Sequence, residues 1–293
     1  MRVLNFGSLN MDYTFKVDHF VQAGETMSAR SMRINAGGKG LNQSVALAKA
    51  GAETYHAGCV GEGGQMLVDL LQEAGVDTTH IMPVDEPQGN AIIQVNTHGQ
   101  NCIIIYGGSN RCVTKEQVAS TFENFGEGDY LLLQNEINCL PEIVDAAAER
   151  GMVICLNPSP YDDRLSGVDL SKVSLLIVNE VEAAGIAGVS DPESVWEVLH
   201  ARYPEMALVE TLGELGSVAF SGDIRVDQAA FTCEAVDTTG AGDTFTGYLI
   251  ARMMEGCSLE EGMAWASVAS GIAVTRPGAA ASIPTSDEVE AML

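Results

Sequence analysis

The sequence has few basic residues, few aromatic residues and no closely spaced cysteine pair. Only 15 Lys and Arg oppose 40 Asp and Glu, and the net charge of −25 argues against nucleic acid and anionic membranes as partners. The seven cysteines are scattered without a C-x-x-C pair, which argues against a zinc or redox motif. No apolar run approaches the length of a membrane span, and the N-terminus is not typical of a signal peptide. These absences favour a cytoplasmic protein with reduced thiols.

Two common nucleotide-binding motifs are also missing. The G-x-G-x-x-G spacing occurs nowhere, which weakens the hypothesis of a nicotinamide-dependent dehydrogenase. Gly38-Lys39 resembles part of a P-loop, but Gly40 stands where that motif needs Ser or Thr. The P-loop is therefore rejected. The plain alternative for this stretch is a glycine-rich turn with a solvated lysine.

The order of apolar and polar segments predicts an α/β fold. Apolar residues make up 46% of the chain, which is typical of a globular protein. From Thr114 onward, strand patterns such as Tyr130–Gln134 alternate with helix patterns such as 140–150, and this alternation is typical of a parallel sheet covered by helices. Polar clusters follow four predicted strands, at Asn135-Glu136, Asn157-Pro158, Asn179–Glu182 and Thr211–Gly213. Because parallel strands end at one edge of a sheet, we expect a binding cleft there.

The stretch Asp237-Thr238-Thr239-Gly240-Ala241-Gly242-Asp243-Thr244-Phe245 predicts an anion site. Its glycines come just before a helix pattern that extends to Met254. Free N–H groups and the helix dipole favour phosphate at such a helix start. An acid beside a phosphate makes sense if Asp243 takes a proton from the attacking hydroxyl. The plain alternative is that Asp243 is only a helix N-cap.

A small separate sheet is predicted in the first third of the chain. Alternating apolar residues precede Gly37, and a hairpin is predicted from the apolar runs at Asn90–Asn96 and Cys102–Tyr106. A sheet with one apolar face must cover something, either a ligand cleft or a second copy of the chain.

Four motifs occur in the order of one known family. They are Gly7-Ser8-Leu9-Asn10-Met11-Asp12, Gly37-Gly38-Lys39-Gly40-Leu41-Asn42-Gln43, Asn179-x-x-Glu182 and the stretch from Asp237 to Phe245. Through them the whole chain resembles the ribokinase (PfkB) family of carbohydrate kinases. The resemblance implies an α/β fold, a ribokinase-like three-layer sandwich with a mostly parallel central sheet and a small β-sheet lid. It also implies one catalytic domain over residues 1–293, with lid segments 13–36 and 89–106.

The resemblance implies that ATP phosphorylates the primary hydroxyl of D-ribose to give ribose 5-phosphate. Asp243 would be the catalytic base. The N–H groups of Gly240, Ala241, Gly242 and Asp243 would stabilise the transferring phosphoryl group, with Mg²⁺ supplying the rest. The implied sugar ligands are Asn10, Asp12, Gly38, Lys39, Asn42, Glu136 and Asp243. The implied nucleotide contacts are Asn179, Glu182, Thr211, Gly213, Gly216 and Ser267.

The resemblance carries two further expectations. Ribokinases are activated by a monovalent cation, K⁺, and the matching positions are Asp237, Thr239, Ala273, Arg276, Gly278 and Ser282. Their lid covers the sugar and pairs with a second subunit, which implies a homodimer through the lid.

Several positions depart from the family pattern and leave the substrate open. Leu41 replaces a common Ala, and Asn35-Ala36 stands where a larger apolar residue is usual. Asn90 puts an amide on a lid strand that is usually apolar. Asn35 and Asn90 could meet in the lid and contact a substrate larger than ribose, or both could face solvent. The alternatives are a nucleoside or pseudouridine kinase or another sugar kinase of the same family, and a non-catalytic sugar- or nucleotide-binding protein.

Overall fold

The computed structural model describes residues 1–293, which form thirteen strands and nine α-helices. The strands are β1 (Val3–Phe6), β2 (Asn10–Lys16), β3 (Ser31–Gly37), β4 (Thr54–Glu62), β5 (Asp77–Pro87), β6 (Asn90–Val95), β7 (Asn101–Tyr106), β8 (Tyr130–Gln134), β9 (Val153–Asn157), β10 (Leu175–Asn179), β11 (Ala207–Thr211), β12 (Ser217–Ser221) and β13 (Ile224–Gln228). The helices are α1 (Lys39–Lys49), α2 (Gln65–Glu73), α3 (Lys115–Phe122), α4 (Leu140–Glu149), α5 (Glu180–Ala187), α6 (Pro192–Arg202), α7 (Ala241–Met254), α8 (Leu259–Val274) and α9 (Ser286–Glu290).

Nine strands form one large sheet in the order β13-β12-β11-β10-β9-β8-β1-β4-β5. The strands from β11 to β5 pair in parallel, and only the β11–β12 and β12–β13 pairs are antiparallel. Central strands such as β8, with the sequence YLLLQ, are continuous apolar runs, because both faces of a parallel sheet are covered. The predicted mostly parallel α/β sheet is confirmed.

The large sheet lies between two helical layers, each with its own apolar core. Successive side chains of a strand point to opposite faces, so Leu131 and Leu133 of β8 join one core and Leu132 joins the other. The first core includes apolar residues of α3 to α6. The second core includes residues of α1, α2, α7 and α8. This arrangement is the three-layer sandwich that the resemblance implied.

The strand order reverses at β1, and this reversal positions the cleft. From β1 the chain continues to β4 and β5 on one side, whereas β8 to β11 extend on the other. Ligands of open α/β sheets bind outside the carboxyl ends of the strands at such a reversal. All four predicted polar clusters come at the carboxyl ends of β8 to β11, which are mutually parallel. The expectation of one shared sheet edge is confirmed.

A second, four-stranded sheet has the order β3-β2-β6-β7. It contains the predicted hairpin, as β6 and β7, and the alternating segments before Gly37, as β2 and β3. Three strands of the large sheet lie outside the predicted pattern, namely β5, β12 and β13. The edge strand β5 is half-polar, and β12 and β13 form a tight antiparallel hairpin at the opposite edge.

No α-helix is both long and apolar enough to pass through a bilayer. All seven cysteines are free thiols.

Candidate active site

Asp243 lies in the first turn of α7, where its side chain is almost fully buried. Its Oδ1 accepts a hydrogen bond from Nε2 of Gln43, and its Oδ2 accepts one from Nδ2 of Asn42, both at 2.9 Å. The N-cap of α7 is Gly240, and Asp243 makes no capping bond. The plain alternative, that Asp243 is only a helix N-cap, is therefore wrong.

The turn before α7 depends on glycine. Gly240 has φ 77°, and a Cβ there would lie 3.1 Å from Ala279, so a side chain would be strained and crowded. The N–H of Ala241 bonds the carbonyl of Thr238. The N–H groups of Gly242 and Asp243, at the positive end of the helix dipole, have no partner in the protein. They are free to bind an anion.

These N–H groups open into a cleft shared by four parts of the chain. Its lining residues are Lys39, Asn179, Glu180, Val181, Thr211, Gly213, Thr238, Gly240, Ala241, Gly242 and Asp243. The lining joins the start of α1, the carboxyl ends of β10 and β11, and the loop before α7. The cleft thus brings together residues predicted for the sugar, the nucleotide and the phosphoryl group.

Asn42, Asp12 and Lys39, three of the residues predicted to bind the sugar, lie close enough to Asp243 to bond it or to feel its charge. The Asp12 carboxylate lies across Gly37, where an added Cβ would come within 2.1 Å of it. The backbone N–H of Lys39 donates to Oε2 of Glu136 at 2.9 Å, and the hydroxyl of Ser8 donates to the same oxygen. Gly38 has φ 94°, a conformation that suits glycine.

Amide side chains also belong to the predicted sugar site. Asn110 donates to Oδ1 of Asn10 at 2.7 Å. Oδ1 of Asn42 is buried without any partner. That oxygen is an unsatisfied acceptor on the side chain whose Nδ2 bonds Asp243.

The acidic side chains of the site repel one another electrostatically. Burial, followed by the charges of Glu136 and Asp243, raises the pKa of Asp12 to about 7. Burial lowers the pKa of Lys39, but the carboxylates of Asp243, Glu136 and Glu182 outweigh it and raise that pKa above its usual value. Lys39 is therefore a cation held among these acids.

Most residues predicted for the nucleotide follow β10 and β11. Asn179 and Glu182 cap α5 reciprocally: Oδ1 of Asn179 accepts from the Glu182 N–H at 2.9 Å, and Oε2 of Glu182 accepts from the Asn179 N–H at 3.1 Å. The hydroxyl of Thr211 donates to the Val178 carbonyl at 3.3 Å. Thr211 and Gly213 line the cleft.

Three predicted nucleotide contacts, namely Glu182, Gly216 and Ser267, lie outside the cleft lining. Gly216 has φ 101°, and a Cβ there would lie 2.0 Å from the carbonyl oxygen of Gln228, so this glycine is needed for the turn into β12. The hydroxyl of Ser267 donates to the Ala229 carbonyl at 3.0 Å. Their roles in nucleotide binding stay predictions.

The residues predicted to bind a monovalent cation lie before α7 and at the end of α8 and after it, and hydrogen bonds join these two regions. Oδ1 of Asp237 accepts from the N–H and hydroxyl of Thr239, and Oδ2 accepts from the Gly278 N–H at 2.9 Å. Burial opposes these bonds, but they lower the pKa of Asp237. The Ala273 carbonyl accepts from the Arg276 N–H, and the Ser282 hydroxyl donates to the Ala279 carbonyl at 2.8 Å.

Several buried polar residues of the site were assigned no role from the sequence, although Asn157 was in one of the four polar clusters and Ser8 in one of the four motifs. Gln43 belongs to a motif that was recognised, but no role was assigned to it. The others are Asn5, Ser8, Asn110, Gln134 and Asn157. The available signal was a buried-strand pattern with an amide inside it, as in the VLNF of β1 and the YLLLQ of β8.

Comparison with known proteins gives a consistent result. A family model described as "pfkB family carbohydrate kinase" matches residues 2–286. The chain is 34% identical to the ribokinase of Haemophilus influenzae over 96% of this chain and 95% of that protein. It is 28% identical to a deoxyribokinase of Salmonella typhimurium over 98% of this chain and 97% of that protein. The structure of Arabidopsis thaliana ribokinase complexed with ribose and ATP superposes with a TM-score of 0.89, at 29% identity, over 99% of this chain and 98% of that one.

Proposed function

Because the chain belongs to the pfkB family of carbohydrate kinases, we propose that it transfers the γ-phosphoryl group of ATP to the primary hydroxyl of D-ribose. The family makes it a phosphotransferase with an alcohol group as acceptor. The observation that carries the proposal is the position of Asp243. It lies between polar side chains predicted to bind the sugar and the unpartnered N–H groups of the α7 turn.

The chemistry follows from that position. The Asp243 carboxylate accepts the proton of the primary hydroxyl as its oxygen attacks the γ-phosphorus. The bond from phosphorus to the bridging oxygen breaks, and ADP leaves. The N–H groups of Gly242 and Asp243 and the dipole of α7 stabilise the charge on the phosphoryl oxygens. Lys39 lines the same cleft as a cation and adds to that stabilisation.

Mg²⁺ fits the residues present as an ion held mainly by the nucleotide. The chain has no group of three or more His, Cys, Asp or Glu arranged to hold a metal ion. Mg²⁺ commonly takes one or two carboxylates together with waters and substrate phosphates, and Glu182, whose Oε2 is engaged in the α5 cap and whose charge acts on Lys39, would supply its other oxygen. When bound, Mg²⁺ would neutralise charge on the phosphates.

Ribose is the proposed acceptor because the site offers paired hydrogen-bonding groups. Asp12, Asn42 and Glu136 supply carboxylate and amide oxygens, which suit vicinal hydroxyls. The ribokinase named above is a full-length relative, and ribose is bound in the Arabidopsis structure by its own description. The alternative acceptors are 2-deoxyribose, a nucleoside or pseudouridine, or another sugar. A non-catalytic binding protein is disfavoured because Asp243 and its glycine turn are both present.

We propose K⁺ as an activator that orders the anion loop. Asp237 already joins the loop before α7 to the loop after α8 through Thr239 and Gly278. A monovalent cation between these loops would hold the α7 turn in place through carbonyl oxygens near Ala273, Arg276, Gly278 and Ser282. The expected effect is on turnover, since the loop carries the N–H groups that bind the phosphoryl group.

We propose that the four-stranded sheet is a lid that also pairs with a second copy of the chain. The edge strand β7 is exposed throughout, and Ile103, Ile104, Ile105 and Tyr106 are each about half exposed, at 49–61%. An unprotected apolar edge strand favours association. The chain would then be a cytoplasmic homodimer, and its free thiols agree with a reducing compartment.

The test is ATP-dependent phosphorylation of ribose, 2-deoxyribose, fructose, adenosine, uridine and pseudouridine, each with and without K⁺. Preference for ribose with stimulation by K⁺ is the expected result. Preference for a nucleoside would retain the chemistry and overturn the substrate. Tight sugar or nucleotide binding with no turnover on any acceptor would favour the non-catalytic alternative.

A further inference from the structure

Buried amide side chains form a continuous chain that ends on Asp243. Nε2 of Gln43 donates to Oδ1 of Asp243 at 2.9 Å and to Oδ1 of Asn157 at 3.0 Å. Oε1 of Gln43 accepts from Nε2 of Gln134 at 2.6 Å, and Gln134 also donates to Oδ1 of Asn5 at 2.9 Å. Gln43, Gln134 and Asn5 are at most 1% exposed, and Asn157 is 9% exposed.

Backbone carbonyls fix the direction of every bond in this chain. Nδ2 of Asn157 donates to the Ile177 carbonyl at 2.9 Å, so its oxygen must face Gln43. Nδ2 of Asn5 donates to the Gly40 carbonyl at 2.7 Å, so its oxygen must face Gln134. Reversing any one amide would place oxygen against oxygen or N–H against N–H, because each amide has one accepting and one donating end.

Gln43 can therefore present only its NH₂ group to Asp243. With Asn42 on the other oxygen, two donors fix the plane of the carboxylate. Oδ1 of Asn42 has no partner in the protein, whereas both ends of the Gln43 amide are occupied by protein groups. Gln43 thus has no group left over for a sugar hydroxyl.

We propose that Gln43 is a positioning residue for the catalytic base, and that Gln134, Asn157 and Asn5 set the direction of its amide. The proposal rests on the role of Asp243 proposed above and is independent of which acceptor is used. A base must meet the attacking hydroxyl at hydrogen-bonding distance and in line, and a misplacement of about 1 Å can cost about 10²-fold in rate.

The test is Gln43→Leu, which keeps the approximate volume and removes the donor. We expect kcat to fall about 10- to 100-fold, with the KM for the acceptor and the Kd for ATP within about twofold of wild type. Gln117→Leu is the matched control: Gln117 is also buried and donates to the Gly58 carbonyl at 2.7 Å, in α3 and away from the site. It should lose stability but retain kcat.

A double-mutant cycle links the effect to the base. In an Asp243→Asn background, Gln43→Leu should lower the remaining turnover by less than twofold, because the group that it positions is gone. Gln134→Leu should lower kcat in the same direction as Gln43→Leu, and the two changes together should be less than additive.

Three results would overturn the proposal. One is a Gln43→Leu variant with wild-type kcat per folded molecule. Another is a raised acceptor KM at unchanged kcat, which would make Gln43 a binding group. The third is a crystal structure of Gln43→Leu in which the Asp243 carboxylate keeps its orientation. The last measurement needs no substrate, so it tests the proposal even if wild-type protein phosphorylates none of the acceptors and the proposed function fails.

Discussion

Asn35 lies directly opposite Asp12 in the antiparallel β2–β3 pair, whereas Asn90 lies opposite Met11 in the parallel β2–β6 pair. Directly opposed residues share a face of a sheet, and consecutive residues such as Met11 and Asp12 alternate between faces. Asn35 therefore shares the face of Asp12, and Asn90 is on the other face, where its amide donates to the Gln88 carbonyl. The hypothesis that Asn35 and Asn90 meet in the lid is wrong.

Asn35→Ala is predicted to change acceptor preference. The Asn35 side chain is exposed, and its Cβ is about 5 Å from that of Asp12. A substrate whose hydroxyl is bound by Asp12 is thus within reach of the Asn35 amide. We expect Asn35→Ala to raise the KM about 3- to 10-fold for an acceptor whose hydroxyl it bonds, measured across the six-acceptor panel.

Asn90→Ala is the matched control for Asn35→Ala, because it removes the same side chain from the opposite face of the same sheet. Its KM values should stay at wild type. Equal effects of the two substitutions would show a general loosening of the lid and would contradict a specificity role for Asn35.

Asp243→Asn is predicted to abolish most turnover without loss of nucleotide binding. The substitution keeps the shape of the side chain but removes the group that accepts a proton, which typically costs ~10²–10⁴ in rate. ATP affinity, measured by calorimetry, should change little because Asp243 contributes its backbone N–H to the phosphate site in either case. Asp223→Asn, on the exposed β12–β13 turn, is the control. Near-normal activity of Asp243→Asn would refute the base assignment.

Productive binding of the sugar, measured as kcat/KM, is predicted to weaken below about pH 7. The pKa of Asp12 is raised to about 7, chiefly by burial and further by Glu136 and Asp243, so Asp12 of the free protein is mostly protonated at lower pH. Sugar hydroxyls donate to the ionised form, so binding favours loss of that proton. We expect kcat/KM for the acceptor to fall as pH decreases from 7.5 to 5.5, since this ratio reports the free enzyme.

Asp12→Asn separates this effect from other titrations. It should lower kcat/KM at pH 8 and remove the dependence on pH just below 7. If kcat/KM of Asp12→Asn still falls in the same way below pH 7, the titrating group is not Asp12.

The sequence was sufficient for the parallel centre of the large sheet and for the loop before α7, but not for the edge strands or for the contacts between sheet and loop. Local signals predicted β8, β10 and the start of α7, because apolar runs and helix-start residues act over a few positions. The bond between Gln43 and Asp243 joins residues 200 positions apart, and no local pattern encodes it. Strand β5 was missed because its exposed, polar side chains resemble a loop.

Glu210 is predicted to make the stability of the protein depend on pH. Its side chain is fully buried in β11, and neither carboxylate oxygen has a hydrogen-bond partner. Burial, followed by the charges of Glu180 and Asp191, raises its pKa to about 7. A raised pKa in the folded state means that folding favours the protonated form, so the free energy of unfolding falls as pH rises from about 4.5 to 7.

Glu210→Met replaces this carboxyl with an apolar side chain of similar length, which removes the charge that burial penalises. We expect the variant to be more stable than wild type at pH 8, and its advantage to be larger there than at pH 5 by about 1–3 kcal/mol. Urea unfolding at both pH values measures this difference. Glu214→Met, an exposed acid in the turn after β11, should show no such dependence. An advantage of equal size at the two pH values would mean that Glu210 binds the same number of protons in the folded and unfolded states across this range, and it would contradict a pKa raised by burial.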